Sequence, residues 1–468
     1  MARDQVEQAE PADARPLYPP TVEPPSEVLP LSRFLPTFVR NPLRTLPVAV
    51  YEEPCLVVER KGRHNAWVTD PAMVERILLH EHEDFAKTPL ERRIFEPTIG
   101  HGILTAEGPA WRWQRRTAAP LFRHQDLLGH VPAMTAAAGR QVERWRAALP
   151  GSLARVDHAM TDVTYEIITR SILAGTVPAE DVLIKREAHR MLAWISWEVG
   201  FGIVGIPEWV WHPGKWPSRR AAKALRGTVH QLLARRRAER EGAKDLLGRL
   251  LAARDPETGQ PMADEQLVDN LLTFLLAGHE TTAKALTWSL YLLARAPHWQ
   301  ERIRREVVEV CGARPVEQRH LGSLPITTRV LKEALRLYPP APIMSRMTAR
   351  EVMLGGHKLP KGALIIIPVF AVHRHRRLWT DPDRFDPDRF LPEAEANHVR
   401  TQFMPFGFGP RTCIGMAFAM IEATVLLASF VRAARFEWDG RHLPEPVSRV
   451  TLQPKGGMPL RVTVLGNG

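Results

Sequence analysis

The chain has 468 residues, 44% of them hydrophobic and 25% charged, with a formal net charge of +11 at pH 7. That balance excludes a disordered or fibrous polypeptide and leaves ample apolar side chain for a large core. Three cysteines, Cys55, Cys311 and Cys413, have no paired spacing, which excludes a disulfide framework and a CxxC zinc site and points to a reducing compartment.

Residues 1–50 open acidic and turn proline-rich, and they read as an extended arm: 1–34 form the arm and 35–468 a single domain. The start has no basic segment followed by an apolar stretch, and no run of about 18 apolar residues occurs, so neither a leader nor a transmembrane anchor is expected. A cytoplasmic monomer is the expectation. Residues 54–69 predict a hairpin around the polar KGRH turn, and Asp70 with Pro71 predicts a capped helix start. Helical periodicity runs from 109 to 198. Gly and Pro break the 199–218 segment, whose tryptophans predict either a loop packed onto the core or an apolar lid that touches membrane or greasy substrates. Residues 218–255 form a basic helical stretch, and 264–297 a long helix around AGHETT. After Tyr338 the texture changes to short β-like runs. The last strong helix is 414–433, and the tail pieces SRVTLQPKG and MPLRVTVLG predict a hairpin. The fold class expected is mostly α with small β-sheets (α+β).

Two stretches carry chemistry. FGFGPRTCIG, from Phe406 to Gly415, opens an apolar helix. A cysteine there feels the positive end of the helix dipole, which favours the thiolate, and Gly407 lets the backbone turn tightly against a flat ligand. Arg411 can reach an anionic group, and Phe406 can shield the sulfur from water. In LLTFLLAGHETTAKAL, Gly278 inside a helix costs about 1 kcal/mol against alanine, so close approach of a ligand is expected there. Thr281 can bond the carbonyl of Ala277, and Glu280, pointing elsewhere, can reach a solvent channel.

Other pairs are weaker alone. Glu333 and Arg336 lie at i and i+3, with Arg389 in RFDPDRF free to complete a cluster. Trp111 and Arg115 lie at i and i+4, both donors suited to a carboxylate. The excess of arginine suits an acidic partner. Basic residues are not interleaved with aromatics on a nucleic-acid module, so nucleic acid is not expected.

WxxxR, AGHETT, the ExxR helix with RFDPDRF, and the cysteine loop stand in this order along the chain and together resemble the cytochrome P-450 family from about residue 35 onward. The resemblance implies the family's fold, a long central helix over the haem, with heme b as cofactor and Cys413 as its iron ligand. It implies that Thr281 orients dioxygen and water while Glu280 refills the proton relay. Trp111, Arg115, Arg346 and Arg411 would contact haem propionates, and Phe406, Gly407, Ala277 and Gly278 would lie against the cofactor. The cluster of Glu333, Arg336 and Arg389 would serve folding and haem retention. Phe274, Ile343 and Met344, with the stretch 95–104, would line the substrate pocket. The activity implied is insertion of one atom of O2 into an apolar organic substrate, by hydroxylation or a related oxidation such as dealkylation. Electrons would come from a separate ferredoxin or flavodoxin with its NAD(P)H-dependent reductase, docking near Arg112, Arg116 and Arg123. A haem-thiolate sensor, an isomerase and a peroxygenase are the alternatives.

Overall fold

The computed structural model describes residues 15–60, 62–149, 151–172, 178–204, 206–238 and 246–466. The acidic opening of the arm, 1–14, lies outside them. From Arg15 the arm is extended, as expected, and it is tied to the body: the Tyr338 hydroxyl donates to Pro20 O at 2.7 Å and Phe385 N to Leu17 O at 2.9 Å. The expected extension to residue 50 ends early, in a helix over Leu31–Arg40. Leu31, Phe34, Leu35 and Phe38 recur at helical spacing, and the Phe34 and Phe38 rings meet at 5.6 Å, which explains a helix despite Pro36.

The hairpin forms as Cys55–Arg60 against Arg63–Val68, and Asp70 Oδ1 caps the next helix by accepting from Met73 N at 2.8 Å. These strands join a five-stranded mixed sheet, in which Arg63–Val68 runs parallel to Leu364–Ile367, followed by Met344–Thr348 and Phe85–Ala86. The tail is not one hairpin. Pro446–Ser448 pairs with Leu452–Pro454, whereas Pro459–Val464 pairs with Ala434–Trp438 and Leu153–Arg155. The strand at Ala434–Trp438 follows directly on the Met416–Ala433 helix, so no turn signal sets it apart in the sequence.

The long helix spans Asp264–Arg295 and is buried along most of its length. It packs against Val156–Ile172, Pro325–Leu337 and Met416–Ala433, so the main apolar core surrounds it. Met416–Ala433 is apolar and long enough to cross a membrane by composition, which the hydropathy reading overlooked, but here its side chains are mostly core. The 199–218 segment is partly helical: one helix covers Pro178–Val204 and another Lys215–Ala238. Trp209, Trp211 and Trp216 are 82%, 62% and 73% exposed, so these three do not pack the segment onto the core.

Candidate active site

The cysteine loop is built on backbone geometry that its glycines permit. Gly407 and Gly409 both have φ of +73°, and a Cβ on Gly409 would sit 2.0 Å from the carbonyl oxygen of Leu78. The loop closes when Cys413 N donates to Phe406 O at 2.8 Å. Cys413 precedes the Met416–Ala433 helix by three residues, so Gly415, its N-cap, brings the nearest N–H to the sulfur. Burial pushes the Cys413 thiol up, against the pull of the Gly415 N–H and the Arg115 charge. A bound metal would deprotonate its thiol ligand outright.

The cations form a second feature. Arg411 lies over the Trp111 ring at 4.2 Å and donates to Ala106 O at 2.8 Å. Burial lowers its pKa to about 10, with Arg346 adding to the effect. Arg346 is lowered by burial too, and among the described residues donates only to the Ser345 carbonyl. Arg115 is lowered by burial and raised by Cys413. The nearby carboxylates are committed elsewhere: Glu91 to Lys87 at 2.6 Å, and Glu107 to Arg92 and the Lys87 backbone N–H. Half-buried guanidiniums without a carboxylate partner are costly, so this geometry suits a dianionic ligand such as a haem with two propionates.

The long helix presents Phe274, Ala277 and Thr281 at i, i+3 and i+7. Phe274 is buried edge-on to Phe122, with ring centroids 5.2 Å apart. Thr281 Oγ1 donates to Ala277 O at 2.8 Å, the bond its position predicts. Ala277 is exposed in the middle of a buried helix, Thr281 is half-buried, and Cys413, although protein crowds round it, keeps accessible surface. Three of the positions that the resemblance turns towards haem thus keep accessible surface. Gly278 has a further reason for lacking a side chain: a Cβ would meet Ile168 Cδ1 at 2.8 Å. Met344 Sδ comes 3.7 Å from where a Gly407 Cβ would be, and Ile343 packs on the main core.

Glu280 does not reach a solvent channel. It is buried, and its Oε1 accepts from Thr451 Oγ1 at 2.9 Å and Gln453 Nε2 at 3.1 Å. The tail hairpin folds back onto the helix and supplies both donors, a contact across more than 170 positions.

Glu333 and Arg336 are both fully buried and joined by two hydrogen bonds of 2.7 and 2.8 Å. Arg336 also donates to the carbonyls of His373, Pro382 and Arg384. Arg389 completes the cluster with Nε 3.6 Å from Glu333 Oε1, donating to Thr380 O and Asp381 O.

Two residues escaped the sequence reading. His373 accepts from Met404 N at 2.9 Å and lies 3.2 Å from Arg336 O through its other ring nitrogen, so it ties the triad to the approach of the cysteine loop. Burial, with Arg336 beside it, lowers its pKa to about 3, so it is neutral. Glu422, beside Thr282, is buried with Oε1 unpartnered, and burial raises its carboxyl well above the usual range. Its signal was present: one acid inside the apolar run IGMAFAMIEATVLLASF.

Comparison with known proteins agrees with this geometry. The sequence model of the family "Cytochrome P450" matches residues 47–460. The chain is 33% identical over 407 residues to cytokinin hydroxylase of Arabidopsis thaliana, covering 84% of this chain and 77% of that one. It is 31% identical to cyclooctatin synthase of Streptomyces melanosporofaciens, covering 92% of each. In structure it superposes on the haem domain of cytochrome P450DA with a TM-score of 0.82 at 25% identity, over 96% of this chain and 98% of that one. The chain belongs to the cytochrome P450 family: it is a haem-dependent monooxygenase that takes O2 and draws electrons from an electron-transfer partner.

Proposed function

We propose that Cys413 is the axial thiolate ligand of heme b, that Trp111, Arg115, Arg346 and Arg411 hold the propionates, and that Thr281 and Glu280 serve proton delivery. The observation that carries this reading is the group of three half-buried guanidiniums around the cysteine loop, none with a carboxylate hydrogen-bond partner among the described residues. The haem, when bound, supplies the activation of dioxygen. The protein supplies the rest. The Gly415 N–H tunes the sulfur, since outer hydrogen bonds set ligand basicity. The Thr281 hydroxyl, half-exposed and donating to Ala277 O, keeps its lone pairs free to accept a proton-bearing partner on the open face. Glu280, held by Thr451 and Gln453, is positioned to pass protons along the helix rather than to draw them directly from bulk water.

The substrate in this reading is an apolar organic molecule lying against Phe274, Ala277, Ile343 and Met344, and hydroxylation is the favoured outcome, as in the relative named a hydroxylase. The electron donor is a separate ferredoxin or flavodoxin with its NAD(P)H-dependent reductase, in the cytoplasm, and 35–468 acts as one domain. On the proposed docking face, Arg112 pairs with Glu83 at 3.1 Å and Arg116 with Asp255 and Glu257 at 3.1 and 2.6 Å, so exposed Arg123 carries the least compensated charge.

The test is turnover under isotopically labelled dioxygen with a surrogate ferredoxin and reductase, using substrates chosen by the haem spin-state shift they cause. One labelled oxygen in the product supports the reading. Consumption of reductant with no labelled product across all spin-shifting compounds overturns it.

A further inference from the structure

Residues 100–106 join the Pro89–Ile99 and Gly108–Ala118 helices, and most of them are buried against the long helix. A buried connection must find a partner for each backbone N–H and C=O. Here two side chains of the long helix take the N–H groups. Asp269 Oδ2 accepts from His101 N at 2.8 Å, and Asn270 Oδ1 accepts from Ile103 N at 2.9 Å. Asn270, fully buried, also donates to Gln114 Oε1 at 2.8 Å, and Gln114 in turn donates to His101 O at 2.9 Å. Gly102 allows the close approach, since a Cβ there would meet Asp269 O at 2.8 Å and Thr273 Oγ1 at 2.5 Å. The second oxygen of Asp269 takes Arg226 Nη1 at 2.5 Å, so one carboxylate joins this connection to the Lys215–Ala238 helix.

The other end is tied to the opposite side of the site. Arg411, two residues before Cys413, donates to Ala106 O at 2.8 Å, and Lys87 Nζ donates to Leu104 O. The segment is therefore a strap from the long helix to the cysteine loop. Asn270, Phe274, Ala277 and Thr281 stand at i, i+4, i+7 and i+11, so the strap is held at the start of the stripe that carries exposed Ala277. Its apolar residues are Ile103, buried in the core cluster that includes Phe274, and half-buried Leu104. A fully satisfied buried polar network fixes one backbone arrangement where apolar contact alone would allow several.

We propose that Asp269 and Asn270 are positioning residues of the reaction: by fixing the strap they hold Ile103 and Leu104 as a preorganised wall, and so set what fits beside Ala277. The inference rests on the haem reading, because its probes bind the iron. The test is a spectroscopic titration of the haem-loaded protein with imidazole and with 4-phenylimidazole, which bind iron through a ring nitrogen and differ by one phenyl ring. A preorganised wall needs no ordering on binding, and a loosened one does. Asp269→Ala and Asn270→Ala should each weaken 4-phenylimidazole by about fivefold or more and leave imidazole within about twofold. Asp269→Asn, which keeps an acceptor for His101 N, should stay within about twofold of the parent for both probes. Val307→Ala, a buried truncation in the Pro297–Cys311 helix outside these bonds, should lower the thermal midpoint without separating the probes. Where an alanine variant does not retain haem, Gln114→Met decides: it removes the support of His101 O without altering the long helix, and should weaken 4-phenylimidazole alone by about threefold. An affinity for 4-phenylimidazole that holds, rises or falls in step with imidazole overturns the proposal. That result leaves the thiolate-type carbon monoxide band intact, whereas a parent without that band fails the Cys413 reading and leaves the two probes able to separate.

Discussion

Thr451 donates its hydroxyl to Glu280 at 2.9 Å, which fastens the carboxylate of the long helix to the tail hairpin. Glu280 is therefore held in place by Thr451 and Gln453, two residues far along the chain from both the long helix and the cysteine loop. In the proposed relay, Glu280→Gln removes the acid and keeps the shape, and should lower the rate of product formation by about 10²-fold, with an enlarged solvent isotope effect. Thr451→Val leaves the acid but removes one donor, and should give a smaller loss, about three- to tenfold. Steady-state product formation in light and heavy water checks both.

Thr281 is tested by the fate of the electrons. Thr281→Ala should keep reductant consumption within about threefold of the parent while the share of electrons that end in product falls about tenfold, because a positioned proton donor governs that share. Thr281→Ser, which restores a hydroxyl able to reach Ala277 O, should recover most of the product. Product measured against reductant consumed decides it. An unchanged ratio in Thr281→Ala would remove this residue from the relay.

The Glu333–Arg336 pair is fully buried, so removal of one partner strands the other charge. Glu333→Ala should cost about 3–5 kcal/mol and release haem during purification, whereas exposed pairs such as Arg112–Glu83 should be worth less than about 1 kcal/mol. Denaturant unfolding and haem-to-protein absorbance ratio check this.

His373 gives stability a pH dependence of predictable sign. Its folded pKa, about 3, lies below the ordinary 6.5, because burial and the Arg336 and Arg374 charges disfavour the imidazolium. The unfolded chain therefore binds more protons between those values, so the contribution is complete above about pH 6.5 and is lost as pH falls towards 3. In that window the slope for one proton is about 1.4 kcal/mol per pH unit. His373→Gln, which can still meet Met404 N, should flatten the acid limb by up to that slope. Unfolding free energy measured from neutral pH downward is the readout.

Two glycines should respond in opposite directions. Gly409→Ala places a Cβ against the Leu78 carbonyl at a positive φ, and should prevent haem incorporation. Gly139, exposed within Val131–Arg146, has nothing within 4 Å of an added Cβ. Gly139→Ala should stabilise by about 0.5–1 kcal/mol. Thermal midpoints of the two variants check the contrast.

What the sequence revealed follows from how local each feature is. Phe406 to Gly415 closes on itself through one backbone bond, and Glu333 meets Arg336 within one helical turn, so ten and four residues were enough. The hairpin at 54–69 and the cap at Asp70 are local in the same way. Glu280 was misplaced because its partners, Thr451 and Gln453, arrive only when the tail folds over the helix. His373 was missed because it bridges Arg336 and Met404, each more than thirty residues away. Helix 31–40 escaped because proline content masked an apolar spacing that brings the Phe34 and Phe38 rings together on one face.

The central claim is that Cys413 binds haem iron as a thiolate. The most direct measurement is the carbon monoxide spectrum of the reduced haem protein, for the parent and for Cys413→Ser. A red-shifted, thiolate-type Soret band in the parent that is absent from Cys413→Ser is the predicted result. A parent whose band is that of a histidine- or water-ligated haem, or a Cys413→Ser variant that keeps the thiolate band, would contradict it.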